Sequence, residues 1–301
     1  MSEISSQASA SSDPNRWAVW GFRGLALVEV LGVFIGGNLL ARQVRRWLGI
    51  GTYKELLAAG PSSSEPVDFF MLARVSAAEL TIKFGVMLGL AFAIGWLHRR
   101  RKPADYGLTT GGHRTGFLVR AGVALFGLSL LPNLLLFLNQ YVPLGAGAAH
   151  WWVFDEPWSA GFWLFMAASS FVLPPLFEEL LIRGYIQTRL VEDFGGIGGI
   201  LLTATLFAVA HGQYHNPSIL SVGMIASLFL GSVIWGYFFY RTGSLIPVIV
   251  AHVLVNIPVP DSASLIKLIV MAAIVALAWK PVLSYTREFF AEFSSAGRAR
   301  S

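Results

Sequence analysis

Cysteine is absent from the 301-residue chain, and charged side chains are scarce. Without cysteine, the chain can form neither a disulfide framework nor a thiolate zinc site, and it has no cysteine nucleophile. Only 13% of the residues are charged and 55% are hydrophobic, whereas an ordinary globular domain carries about 25% charged residues. This deficit of charge, with a mean hydropathy of +0.62, favours a membrane-embedded protein over a soluble one.

The charge that remains is basic on balance, with a net charge of +5 and an isoelectric point of about 9.6. The basic residues flank apolar segments, as in the cytoplasmic loops of membrane proteins. We therefore expect contact with a lipid bilayer and no nucleic-acid partner. Residues 1–16 are rich in serine and lack an apolar core, so they are not a cleavable signal peptide and predict a disordered tail.

Eight apolar segments are candidate membrane helices, since a helix needs roughly 20 mostly apolar residues to cross a bilayer. The fourth is interrupted at Pro174–Pro175, because two adjacent prolines cannot both lie inside a regular helix. The fifth and seventh are short, which is tolerable for helices that are buried among others and line a cavity. The eight segments are 24–41, 75–97, 117–138, 161–190, 197–211, 219–240, 245–257 and 265–282.

These segments predict an all-α fold, a polytopic transmembrane bundle of about eight helices. Four regions follow along the chain: the tail at 1–16, N-terminal transmembrane helices and loops at 17–158, a core at 159–260, and a last helix with a basic tail at 261–301.

Loop charge predicts the orientation of this bundle. The basic loop at 98–116, Arg241 and the C-terminal arginines fall on one side, and the loop at 139–160, which has no lysine or arginine, falls on the other. The positive-inside rule then places both termini in the cytoplasm. The basic loop at 42–74 opposes this orientation.

Ionisable side chains on apolar segments are costly, and they mark candidate functional sites. FEELLIRGYIQ, residues 177–187, contains Glu178, Glu179 and Arg183. Residues four apart share a helix face, so Glu179 and Arg183 are placed to form an ion pair, while Glu178 points about 100° away around the helix. An unpaired carboxylate in a poorly solvated site is a good general base near neutral pH. The alternative is a buried charge network that only orders the bundle.

Two histidines and an asparagine lie on later apolar segments. FAVAH places His211 at the end of a helix with Phe207 one turn earlier on the same face, and AHVLVN places His252 and Asn256 four residues apart. An imidazole can accept a proton, bind a metal or donate a hydrogen bond, and an asparagine amide suits an oxyanion. Either histidine alone could be an ordinary core residue, but the combination with the paired glutamates favours a catalytic site.

Other polar residues on or beside apolar segments are less informative. His215 is expected in a loop, because Gly212 and Pro217 interrupt the helix. Glu79 and Lys83 are spaced for an ion pair, whereas the sequence offers no partner for Glu29.

In chain order, the candidate residues match three motifs of one family: E-E-x-x-x-R at Glu178, Glu179 and Arg183, F-x-x-x-H at Phe207 and His211, and H-x-x-x-N at His252 and Asn256. Over about residues 160–260 the chain resembles the CPBP family of intramembrane proteases, also called the ABI family, whose best-known members are the type II CAAX prenyl endopeptidases. One such motif is weak evidence, but three in order on hydrophobic segments are strong evidence.

The resemblance implies an intramembrane endopeptidase that hydrolyses a peptide bond of a membrane-associated or CaaX-like substrate. In the family, the first glutamate and the first histidine activate a water molecule, which implies this role for Glu178 and His211. The second histidine and the asparagine stabilise the oxyanion, and here they are His252 and Asn256. The supporting residues would be Glu179, Arg183 and Phe207.

The residue set leaves the cofactor open between zinc and none. Glu178, His211 and His252 could hold zinc with one position free for water. Glu178 could equally act as a metal-free general base. We favour the metal-free version, because Asn256 is a poor zinc ligand and suits an oxyanion hole.

Two other function classes stay open on the sequence. A non-proteolytic membrane scaffold or bacteriocin self-immunity protein would not depend on Glu178 for chemistry. A proton-coupled transporter could use the same buried groups, but it would be expected to have broken helices in both halves, and one clear break is evident. The expected partner is a peptide or membrane-protein substrate, and the compact size favours a bacterial cytoplasmic membrane.

Overall fold

The computed structural model describes residues 14–59, 68–145, 159–215, 217–260 and 263–298. Regular structure in these ranges is helical throughout, in eight stretches and two single 3-10 turns. This confirms the predicted all-α bundle of about eight helices. The stretches are α1 (14–47), α2 (Tyr53–Ala59), α3 (Phe69–Arg99), α4 (Thr115–Asn139), α5 (Ala160–Ala210), α6 (Ile219–Thr242), α7 (Ile246–Asn256) and α8 (Ser264–Arg298).

Five of these stretches are long and apolar enough to cross a membrane, counted over the described ranges. They are Arg23–Trp47 of α1, Phe69–Leu97 of α3, and the whole of α4, α5 and α6. The shorter apolar helices are α7 and Ser264–Ala278 of α8. Each of the eight predicted segments corresponds to a helical stretch. The fourth and fifth segments are the two parts of α5.

The first break in α5 lies just before the two adjacent prolines. A π-helical turn ends at Phe171, and Val172 leaves the helix with φ −117° and ψ −66°. A new helix begins at Leu173, so Pro174 and Pro175 lie in its first turn, where a missing N–H leaves no hydrogen bond unmade. The interruption predicted at the prolines is present, and it falls two residues before them.

The second break in α5 is at Gly195, where the chain reverses direction. Its φ of 75° and ψ of 169° lie in a region that is essentially restricted to glycine. The two arms of α5 then pack closely: a Cβ added to Gly199 would lie 2.5 Å from the backbone nitrogen of Val191. Gly195 therefore separates the arm that bears the paired glutamates from the arm that bears His211.

Contacts between helices define one end of the bundle, which we call the basic end. They are Arg23 Nε to the Asp193 carbonyl oxygen at 3.0 Å, Arg101 Nη2 to Glu192 Oε2 at 2.7 Å, and Arg241 Nη2 to Glu288 Oε2 at 3.4 Å. The end of α6 reaches the Gly195 reversal as well, since a Cβ added to Gly196 would lie 2.9 Å from the Tyr240 ring. The early part of α1, the loop after α3, the Gly195 reversal and the later turns of α8 therefore lie at the same end.

Parts of two predicted loops and most of the predicted tail lie outside the described residues. Residues 14–16 of the predicted tail are the first residues of α1, and residues 1–13 lie outside the described residues. Within the predicted loop at 42–74, residues 42–47 continue α1 and the unexpected short α2 follows.

Candidate active site

Glu179 and Arg183 lie where α5 changes from α-helical to π-helical geometry. A regular turn ends at Glu179, and a π-helical segment covers Leu180–Gln187. Such segments are rare and often occur at functional sites. Both side chains are fully buried, and Arg183 Nη1 lies 3.2 Å from Glu179 Oε2. The structure thus forms the ion pair that the four-residue spacing predicts.

Glu179 also contacts α7, through Oε1, the oxygen that accepts a hydrogen bond from Arg183 Nη1 at 3.3 Å. His252 Nδ1 lies 2.7 Å from Glu179 Oε1, and the His252 side chain is 8% exposed. A carboxylate paired with an arginine is an acceptor, so the imidazole donates from Nδ1. This hydrogen bond fixes the ring orientation and leaves Nε2 of His252 available to the site.

Phe207 connects the three motifs through its aromatic ring. The guanidinium of Arg183 lies 4.6 Å from the centre of that ring, a cation–π contact. The His211 ring packs edge-on at 4.6 Å between centroids, and the His252 ring lies at 6.5 Å. The spacing of F-x-x-x-H therefore positions a phenylalanine between the buried arginine and both histidines.

His211 follows the last residue of α5 and lies just beyond that span. Its Nδ1 lies 2.7 Å from the Phe207 carbonyl oxygen. A carbonyl only accepts, so Nδ1 donates and Nε2 is left as an acceptor. Burial lowers the pKa of His211, and the Glu178 carboxylate acts in the opposite direction. The lowered pKa favours the neutral ring, which can accept a proton at Nε2.

Glu178 differs from its neighbour in having no hydrogen-bond or ion-pair partner within the described parts of the chain. It is half-buried, while Glu179 is fully buried. Among the charged groups that act on the His211 ring, the Glu178 carboxylate has the largest effect, and it raises the pKa of that ring. The two adjacent glutamates thus occupy different environments, as the helix geometry predicts.

Asn256 is the last residue of α7 and contacts the first break in α5. Its Nδ2 donates to the Ser170 carbonyl oxygen at 3.2 Å, and Ser170 Oγ donates to the Asn256 carbonyl oxygen at 3.4 Å. An asparagine amide has two N–H groups, so one remains for another acceptor. The predicted oxyanion donor keeps one free N–H.

A zinc ion would need about three protein ligands around one point. Across the described residues, no group of three or more histidine, aspartate or glutamate side chains has the arrangement needed to hold a metal ion. Glu178, His211 and His252, the set that the sequence suggested for zinc, do not form such a group. The residues do not fit zinc in this geometry, so we derive no step through a metal.

Comparison with known families identifies the same part of the chain. Residues 159–258 match the family model described as type II CAAX prenyl endopeptidase, Rce1-like. The resemblance predicted from the motifs is confirmed. The matched region contains all seven motif residues and covers α5, α6 and α7. No curated protein and no solved structure matches the chain.

Three residues on matched helices contact the site and were missed from the sequence. Ser232 Oγ lies 3.0 Å from Arg183 Nη2, the ring of Trp235 lies 5.4 Å from that of His252, and Ser170 pairs with Asn256. The sequence could not have predicted these contacts from residue spacing, because each one joins residues that are far apart along the chain.

Glu29, for which the sequence gave no partner, belongs to a separate buried cluster. Its Oε2 lies 2.7 Å from Arg189 Nε, and its Oε1 accepts a hydrogen bond from Tyr185 at 2.9 Å. Arg189 also pairs with Asp193. This cluster ties α1 to α5, so Glu29 has a structural role at that contact.

The predicted ion pair between Glu79 and Lys83 is not formed. Glu79 Oε2 accepts a hydrogen bond from the Tyr53 backbone at 3.4 Å, and the Lys83 ammonium lies 4.9 Å from the centre of the Phe84 ring. The prediction is wrong because α2, unseen in the sequence, supplies a competing donor. His215 is exposed in a loop, as expected.

Proposed function

We propose that the protein is an intramembrane endopeptidase that hydrolyses a peptide bond of a membrane-associated or CaaX-like substrate. The observation that carries this proposal is the meeting of three separate motifs at Phe207, with the half-buried Glu178 left without a partner beside His211. A charge network that only ordered the bundle would be expected to pair both glutamates.

Glu178 and His211 would activate the water. A water molecule held between the Glu178 carboxylate and Nε2 of His211 loses a proton to the carboxylate. Its oxygen attacks the carbonyl carbon, and the carbonyl oxygen becomes an oxyanion. Glu178 then delivers its proton to the amide nitrogen, the C–N bond breaks, and a carboxylic acid and an amine leave.

His252 and Asn256 would stabilise the oxyanion. Asn256 has one N–H available for it. His252 uses Nδ1 for Glu179, so to donate from Nε2 as well it must enter the reaction as the imidazolium and keep that proton throughout. The Glu179 carboxylate at Nδ1 stabilises that imidazolium, much as the aspartate of a serine-protease triad does. Glu179 thereby acts on the reaction through His252 as well as supporting the helix.

The proposed location is the bacterial cytoplasmic membrane, with both termini in the cytoplasm. The clustering of Arg23, Arg101 and Arg241 at the basic end supports this orientation. Since the chain has no cysteine, single cysteines report topology without background. In spheroplasts, an impermeant maleimide should label Tyr141→Cys and leave His113→Cys unlabelled; the reverse pattern would contradict the orientation.

Cleavage of a quenched fluorescent peptide library by purified protein in detergent tests the proposed reaction. Wild type should cleave and Glu178→Ala should not, whereas Glu55→Ala, which removes an exposed carboxylate on α2, should cleave like wild type. Equal cleavage by wild type and Glu178→Ala would contradict the proposal. Absence of cleavage by every protein, with partner protection retained in Glu178→Ala, would favour a scaffold or immunity protein.

A further inference from the structure

Lys267 is a charged residue on α8, outside the region that matches the family. It lies in SLIKLIVMAAIVALAW, an otherwise apolar run. A lysine near the end of a membrane helix usually extends its ammonium to water. Lys267 Nζ instead donates to two backbone carbonyls, those of Val255 at 2.8 Å and Ile257 at 3.2 Å.

These two carbonyls flank Asn256, the last residue of α7. The final carbonyls of a helix have no partner within the helix, and Ile257 leaves the helix with φ −58° and ψ 119°. Pro258 and Pro260 follow and have no N–H to donate. Lys267 supplies the missing donors, and its positive charge complements the negative end of the helix dipole.

Asn256 is therefore held from two sides. Ser170, 6% exposed, exchanges two hydrogen bonds with it from α5. Lys267 contacts the carbonyls on either side of it from α8. A shift of the last turn of α7 would move the Asn256 amide away from its position relative to His252 on the same helix.

We infer that Lys267 is a positioning residue of the active site, which acts through Asn256 by fixing the last turn of α7. The inference rests on the proposed endopeptidase function. It assigns a role in the reaction to α8. A lysine that served only to anchor α8 at the membrane surface would have no effect that depends on Asn256.

Kinetics of three variants test the inference. Lys267→Met removes the donors and the charge, and it should lower kcat about tenfold with little change in KM, because small misplacements of catalytic groups are costly. Lys267→Arg keeps both the charge and N–H donors and should restore most of the rate. In an Asn256→Ala background, Lys267→Met should have almost no further effect, since residues that act through one another are not additive.

A matched control and a second readout separate this inference from the proposed function. Lys83→Met removes another lysine from an apolar helix, α3, where its ammonium lies over the Phe84 ring, and kcat should not change. In protein labelled with 15N-asparagine, the Asn256 side-chain resonances can be assigned by their loss in Asn256→Ala. These resonances should shift in Lys267→Met and not in Lys83→Met.

The resonance measurement needs no catalysis, so an inactive wild-type protein would contradict the proposed function and leave this inference testable. Unchanged Asn256 resonances, or an equal kcat loss in both backgrounds, would overturn the inference.

Discussion

His252 Nδ1 lies 2.7 Å from Glu179 Oε1, and Arg183 Nη1 lies 3.2 Å from Oε2 of the same carboxylate. Glu179 thereby has a hydrogen-bond partner and a charged partner in the protein, whereas Glu178 has neither in the described part of the chain. Substitutions of these two adjacent glutamates should therefore have different effects. Changes at Glu178 should remove catalysis, and changes at Glu179 should lower stability.

Replacing Glu178 with glutamine should abolish cleavage without destabilising the protein. Glutamine keeps the size of the side chain but cannot take a proton from water, and loss of a general base costs about 10²–10⁴-fold in rate. The measurements are kcat on a cleaved peptide and the thermal unfolding midpoint in detergent. A variant that unfolds at clearly lower temperature than wild type would show that Glu178 is part of the structural network.

Glu179→Gln should destabilise the fold, because it leaves the Arg183 guanidinium buried without its counter-ion. Removing one partner of a buried ion pair costs about 3–5 kcal/mol, which denaturant titration in mixed micelles would measure as a lower free energy of unfolding. The double variant Glu179→Leu with Arg183→Met should regain most of that stability and remain inactive. If the double variant were as unstable as the single one, the ion pair would not be the source of the loss.

The parts of the site that follow from local geometry could be predicted from the sequence. The four-residue spacing fixes Glu179 and Arg183 on one face and turns Glu178 away, and the structure keeps both relationships. The break near Pro174 follows from the chemistry of proline itself. These rules need only the residues of one helix.

Contacts between distant parts of the chain could not be predicted in this way. Glu179 and His252 are 73 residues apart, and only the packing of α7 against α5 brings them together. The same spacing rule that succeeded at Arg183 failed at Glu79, because the Tyr53 backbone competes for that carboxylate. A local rule holds where the surrounding helices offer no better partner.

Gly195→Ala should destabilise the protein, because alanine is strained at φ 75° and ψ 169°. A residue held in such a region costs about 1–3 kcal/mol, and the expected result is a lower thermal unfolding midpoint. Gly231→Ala is the matched control, since an added Cβ there meets nothing within 4 Å and alanine favours a helix interior. Equal unfolding midpoints for both variants would argue against a strained reversal at Gly195.

Removal of metal ions is expected to leave cleavage intact. The proposed activation of water by Glu178 and Nε2 of His211 needs no ion, and the described histidine and acidic side chains form no three-ligand group. Protein stripped with a chelator, with its metal content measured by mass spectrometry, should cleave peptide at the rate of untreated protein. Glu178→Gln, treated identically, sets the background. Loss of cleavage on chelation, restored by zinc and not by magnesium, would instead show that the two histidines and Glu178 move together around a metal in the working enzyme.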